Sequence, residues 1–380
     1  MANTLQLPKI LAAVLPVLRQ NAVMPRLVNT QYSLTPAERG QDITVQKSAA
    51  QTAANVTASN TPPANSDTTT TSVTVSLDKW KETRFHLTDQ ELTQINGNAA
   101  FVPGQMAEAI KALANAVDVD LLALYKDVGD YTGTAGTTPF ASESQFQTDW
   151  IKGARKALQD GLVPMDPNNI AVVMDTAAEA NVLSLAQFTD ADRRGDQGGM
   201  INGEIGTKIG ARWFANQNIV DHDGNAPASW LVNGAVSAGD TTITIDTGSN
   251  DPIAGDIFTA AGDTTEFVVK SYAANVITLG GEQETSGAPN AIADNTALTF
   301  IADHTPNIAF HRDAFTLATA PIADVAGSMG LGQMQTIIDP VTGLAIRLEV
   351  RRDYKQTTFD LDILYGVKTV RPELAHRILG

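Results

Sequence analysis

Apolar residues at Ile110, Leu113, Val117, Leu121 and Leu124 recur at three- and four-residue spacing, the signature of one buried helix face. Pro103 stands near the first turn, where its missing N–H costs nothing. The pattern predicts a helix over Gly104–Val128, which at ~1.5 Å per residue would be roughly 37 Å long. Gly129–Pro139 breaks it with Gly, Thr and Pro. A second helix is predicted from the capping pattern Ser142-x-x-Gln145 through Phe146, Trp150, Ala154 and Leu158, with Gly161 as its stop. A strand at Ile170–Met174 and a helix from about Thr176 to Leu185 complete a compact α/β unit.

Period-two patterns surround this helical region. Asp42–Lys47 places Ile43 and Val45 on one strand face, and alternation resumes at Val73, Val75 and Leu77. Between them, Ala49–Thr71 is low-complexity, with Pro62-Pro63 and Asp67 as its only charge. Two strands joined by such a tip make a long extended hairpin. A structureless loop of this length is usually functional in a compact domain, although plain disorder has the same composition. Trp230–Ile301 changes character. Short alternating runs at Leu231–Val236, Thr241–Asp246, Ile257–Ala260, Phe267–Tyr272, Val276–Leu279 and Ala297–Ile301 are separated by Gly, Asn and Asp, which predicts a small β-barrel or sandwich inserted into another domain. Near the end, Ile346, Leu348 and Val350 alternate against Phe359, Leu361, Ile363 and Tyr365. Pairing Tyr354 with Thr357 would put both apolar sets on one face, Arg351 opposite Asp360 and Glu349 opposite Asp362.

At the N-terminus, Leu7, Ile10, Leu11, Val14, Leu15 and Leu18 sit at helical spacing. Ile10–Leu18 is about half a membrane span and no Ala-x-Ala site follows, so it reads as an amphipathic arm rather than a signal peptide. Residues 1–37 carry Lys9, Arg19 and Arg26 and no acid. That weakly basic arm suits a neighbouring subunit or acidic partner, and equally a solvated face.

Charge and composition narrow the chemistry. The chain carries −16 overall, and residues 221–303 hold 12 acids against one base, Lys270, a local −11. Nothing resembles the clustered Lys/Arg footprint of a duplex-binding protein. Cysteine is absent, which excludes disulfides and thiolate zinc sites. None of the five histidines (His86, His222, His304, His311, His376) forms a His-x-x-x-His or His-Glu-x-x-His pair. Asp221-His222-Asp223-Gly224-Asn225 hints at a calcium loop, but its glycine comes two places early and Val232 stands where a glutamate is needed. Aspartate–glycine turn chemistry explains it more simply. Gly327-Ser328-Met329-Gly330-Leu331-Gly332 lacks the strand and helix of a phosphate cradle, and Arg194-Gly195-Asp196 reads as a mobile loop rather than an adhesion motif. With no Gly-x-Ser-x-Gly elbow and no thiol nucleophile, the reading is not an enzyme: no catalytic, cofactor-binding or metal residue is assigned.

A set of stretches in fixed order resembles tailed-phage major capsid (coat) proteins. Met24–Asn29 and Arg39–Val45 are similar to the N-terminal arm entering the E-loop. Val75–Asp78 with Arg84–Asp89 is similar to its return strand. Gly203-x-x-Gly206-x-x-x-Gly210 followed by Ala211-Arg212-Trp213, then Asn307–Phe315 and Tyr365–Glu373, continue the match over most of the chain. The group it most resembles is the P-22-type coat proteins, with the HK-97 fold and an inserted β-barrel. That likeness implies an α+β chain: N-terminal arm 1–41, E-loop 42–87, P-domain 88–148 with the spine helix at about 104–128, and A-domain 149–227. It continues with an inserted β-barrel at 228–302, A-domain again at 303–338, and P-domain long strands with the C-terminus at 339–380. It implies a homo-oligomer of hexamers and pentamers, a scaffolding protein, a portal, double-stranded DNA enclosed without sequence-specific binding, and no membrane. It places the protein in the virion after assembly in the host bacterial cytoplasm. Candidate inter-subunit residues are Asn60, Pro62, Pro63, Asp67, Trp80, Lys81, Arg84, Arg347, Arg351, Arg352, Asp360 and Asp362. Some relatives cross-link through a Lys–Asn isopeptide bond. Here the tip lacks lysine and Lys47, Lys79 and Lys81 sit nearer its base, so no such bond is expected. Rival readings are an encapsulin-like compartment of the same fold and a β-rich adhesin or receptor-binding protein.

Overall fold

A computed structural model describes residues 18, 22–31, 42–48, 55, 70–91, 101–189, 205–322, 333–339 and 341–380. Most of the N-terminal arm, the hairpin tip with Asn60, Pro62, Pro63 and Asp67, the Arg194–Asp196 tripeptide and the glycine run 327–332 lie outside the described residues.

The long helix spans Phe101–Leu122, about 33 Å at 1.5 Å per residue, and then tightens into a 3-10 turn over Ala123–Asp127. The expected stripe is buried through Leu121, but Leu124 is only partly covered. The shorter period of the last turn rotates the face, so Tyr125 takes the inward position. One polar residue interrupts the stripe. Asp118 is fully buried and accepts hydrogen bonds from the Val23 N–H (3.2 Å), the Met24 N–H (3.1 Å) and Asn216 Nδ2 (3.0 Å). It ties the N-terminal segment to the helix and to the residues after Ala211–Ala215. Burial pushes its carboxyl up to about 6, against the pull of those donors.

A central sheet has the order Tyr131–Gly133, Ala375–Leu379, Pro306–His311, Ile170–Met174, Ala211–Ala215, Thr207–Lys208. Ile170–Met174 and Pro306–His311 are buried throughout, as befits strands covered on both faces. The second helical stretch packs on this sheet. Ser142 Oγ accepts from the Gln145 N–H at 3.2 Å, as its capping pattern predicts. Its middle, Gln147–Ala154, is a π-helix. There Gly153 presses on the edge strand, where a Cβ would sit 2.3 Å from Thr132 Cγ2. Trp150, Phe140, Phe146 and Phe188 gather around Trp213 with ring centroids 5.1–5.8 Å apart.

The other large sheet is built on the long strand Gln356–Thr369. Lys79–Thr88 lies along one side of it; Phe315–Ala320 and Ala345–Asp353 lie end to end along the other, with Gln333–Ile338 beyond Ala345–Asp353. Phe315–Ala320 and Gln333–Ile338 pair in this sheet, while Tyr131–Gly133 and Ala375–Leu379 join the central one. The hairpin register lies two residues away from expectation. Asp353 pairs with Gln356, Arg347 with Asp362, Glu349 with Asp360 and Arg351 with Thr358. Its two-residue turn is Tyr354-Lys355, with Lys355 at φ +55°. A shift of two keeps every side chain on its expected face. It exchanges a single attraction at Arg351 for one at Arg347, deeper in the sheet.

Residues 231–300 form a sheet of their own, in the order Leu298–Phe300, Ile257–Ala260, Glu266–Ala273, Val276–Leu279, Thr242–Asp246, Leu231–Val232. A bridge between Leu231 and Ala297 brings first and last strands together, so the sheet nearly closes into a barrel. Trp230, Ile243, Phe258, Phe267 and Leu279 belong to its separate core. Much of its acidity is turn chemistry. Asp240 accepts from the Ser237 N–H, Asp263 from Thr265, Asp294 from Gly234 and Asp303 from Gly224, at 2.7–3.0 Å. At its stem, His222 and His304 pair through their backbones. His222 Nε2 faces the Asp256 carboxylate at 2.7 Å, and its Nδ1 lies 2.9 Å from the Tyr125 hydroxyl. Arg377, fully buried, donates to the Gly255 carbonyl at 2.9 Å and lies 5.0 Å from the Tyr125 ring centroid. Its burial lowers the guanidinium to about 9.

Candidate inter-subunit surface

Register separates the hairpin sheet into two chemically opposite faces, because successive side chains in a strand point to opposite sides. One face carries Phe85, Ile346, Leu348, Phe359, Leu361, Ile363 and Tyr365 in the main core with the long helix. The Phe85 and Phe359 rings stack there with centroids 5.0 Å apart. Lys79 reaches across to Asp120 on the helix at 3.2 Å, and the Tyr365 hydroxyl donates to the same carboxylate at 2.5 Å.

The opposite face is a charged layer. Asp362 is the deepest acceptor: Arg347 donates to it through Nε (3.0 Å) and Nη2 (2.5 Å), and Trp80 Nε1 donates at 2.9 Å. This two-pronged pairing is the geometry that makes Arg–carboxylate contacts strong. Arg84 Nε donates to Asp360 at 2.5 Å, and Arg351 Nη2 lies 3.9 Å from the same carboxylate. Glu349 stands directly opposite Asp360, a like-charge pair that would repel on its own. Arg351, 4.0 Å from Glu349, and Arg84 offset it. The aspartates are buried while their partners open outward: Asp360 and Asp362 are 6% exposed, Trp80 is 48% exposed and the Arg84 side chain 51%. Two carboxylates thus hold an exposed tryptophan and arginine in place. Ordered Trp and Arg are the residue types that dominate protein–protein interface energetics.

Of the candidates chosen from sequence, Trp80, Arg84, Arg347, Arg351, Asp360 and Asp362 meet on this face. Two do not. Lys81 points to the other side of its strand, and Arg352 sits near the turn, paired with Asp89 at 2.6 Å. Sequence reasoning passed over Glu82, which with Glu349 completes the layer, and the hold on the hairpin's first strand, where Lys47 meets Glu373 at 2.8 Å. Its signals were present only as single charges at the end of a strand. In the Asp221–Asn225 segment, Asp221 accepts from Thr305 Oγ1 at 2.6 Å, and the Gly224 N–H turns to Asp303 at 3.0 Å. Among the described residues no group of three or more His, Asp or Glu side chains is placed to hold a metal, and no helix is long and apolar enough to cross a membrane.

No family model and no curated protein matches this sequence. Solved structures do match. A chain from Mycobacterium phage Che8 superposes with a TM-score of 0.51 at 17% identity, over 94% of this chain and 90% of that one. The capsid of cyanophage P-SCSP1u gives 0.49 at 12% identity over 92% and 86%. The mature capsid of bacteriophage PhiM1 gives 0.48 at 9% identity over 92% and 87%. The chain shares its α+β fold with the Mycobacterium phage Che8 chain. At such identities the likeness is one of fold.

Proposed function

We propose that this chain is a major capsid protein whose copies tile an icosahedral shell around phage double-stranded DNA. The observation that carries the reading is the fold likeness over 94% of the chain. The charged sheet face and the paired strands Asp42–Ser48 and Thr70–Ser76 supply surfaces that suit lateral contacts. Weak contacts repeated in closed symmetry make a stable shell without one dominant interface. In this reading the hairpin is the E-loop that lies over a neighbour, the sheet around Gln356–Thr369 is the P-domain, and hexamers and pentamers assemble in the host cytoplasm with a scaffolding protein and portal. The nearly closed inserted sheet supports placement in the P-22-type group, and the deficit of basic residues suits DNA that must later leave. Nuclease treatment of particles purified from producing cells tests the reading. Protected double-stranded DNA of genome length supports it, and particles holding only protein cargo refute it in favour of a protein compartment.

A further inference from the structure

Gly366 lies within the long strand Gln356–Thr369, opposite Ala318, where a side chain would ordinarily strengthen the sheet. Its Cα faces the base of the extended hairpin. A Cβ added there would stand 2.1 Å from the Ser76 carbonyl oxygen, 2.9 Å from Ser76 C and 3.4 Å from Leu77 Cα. All three are backbone atoms, so no side-chain rotation relieves the clash. Val45, Val75, Leu77, Ala318, Ala320 and Leu364 close around the same point and are buried. Ser76 pairs with Asp42, so a displacement at Ser76 moves the root of both hairpin strands. The second hold is the Lys47–Glu373 ion pair, five residues further along the first strand.

We propose that Gly366 is a positioning residue: the backbone contact it permits sets the angle at which the hairpin leaves the body, and through it the curvature of the shell. The part concerning curvature rests on the capsid reading; the part concerning the hairpin does not. Relieving a 2.1 Å contact requires the root to move by about 1 Å. Because the strands act as a lever, the shift grows toward the tip.

The test uses full-length Gly366→Ala and Gly366→Ser, with two readouts. In the unassembled subunit, amide exchange in Thr70–Ser76 is expected to lose about tenfold or more in protection, while Ile170–Met174 keeps its own. In assembled material, electron microscopy is expected to show shells of changed or mixed diameter, or open curved sheets, with serine worse than alanine. Ala318→Val, which crowds the same seat from the paired strand, carries the test if the glycine variants are insoluble. Wild-type exchange together with wild-type diameter overturns the proposal. So does a uniform loss of protection with normal diameter, which would mark Gly366 as merely stabilising. If wild-type protein forms no shell while the exchange pattern holds, the capsid reading fails and the hairpin seat stands.

Discussion

Asp118→Asn gives a test whose sign follows from burial alone. Asp118 is a carboxyl in the apolar stripe of the long helix, with its pKa at about 6 rather than 3.8. A folded-state pKa above the unfolded one means that the folded protein binds the extra proton between those two values. The group therefore costs nothing below pH ~4, and its cost is fully present above pH ~6. The gap of about two units corresponds to about 3 kcal/mol. Asparagine is neutral at every pH, so it removes this cost. It brings a different one, because Val23, Met24 and Asn216 all donate to Asp118 and asparagine has a single acceptor oxygen. Losing one or two of those bonds costs about 1–2 kcal/mol. The variant is therefore expected to be less stable than wild type at pH 4 and equal or slightly more stable at pH 7. The assay is urea unfolding of the unassembled subunit across that range. A difference between the two proteins that stays flat from pH 4 to pH 7 would refute the account of Asp118. Asp118→Ala strips all three donors of their acceptor at any pH, and should unprotect the amides of Val23 and Met24 first.

Asp362→Ala leaves the Arg347 guanidinium and Trp80 Nε1 without their acceptor, and should cost about 2–3 kcal/mol in subunit stability by chemical denaturation. The double variant Arg347→Met/Asp362→Leu should recover most of that stability yet still assemble poorly, because the ordering of the charged face is gone; normal assembly yields would show that the face is not an interface. Deleting Ala228–Ala302 uncovers Tyr125 and the buried Arg377, which loses its Gly255 acceptor, so the product should aggregate or misassemble; normal particles would make the insertion dispensable. On a denaturing gel, mature particles should give one band at the 40.2 kDa subunit mass, whereas a covalent ladder would reveal a cross-link.

The sequence was most legible where one periodicity persisted. The long helix, the Ser142 cap, Ile170–Met174 and the alternating runs of residues 231–301 follow from spacing alone. The faces of the hairpin sheet were legible too, since alternation fixes which side chains share a side. Register was not, because Tyr354-Lys355 offers no glycine or asparagine to announce the turn, and Lys355 adopts a left-handed conformation that its side chain does not advertise. Partnership between distant strands was equally hidden. Phe315–Ala320 and Lys79–Thr88 flank the same long strand from opposite sides, and nothing local to either segment says so. The role of Asp118 was hidden, because its three donors come from segments about 95 residues away on either side. Gly366 did carry a signal, as an isolated glycine inside a strand pattern often marks close backbone approach.

Cryo-electron microscopy of the purified wild-type protein tests the central claim most directly. The account predicts a closed icosahedral shell in which the Trp80, Arg84 and Arg347 face is covered by an adjoining copy. A lone monomer, or a small oligomer of fixed number that leaves that face in solvent, would contradict it.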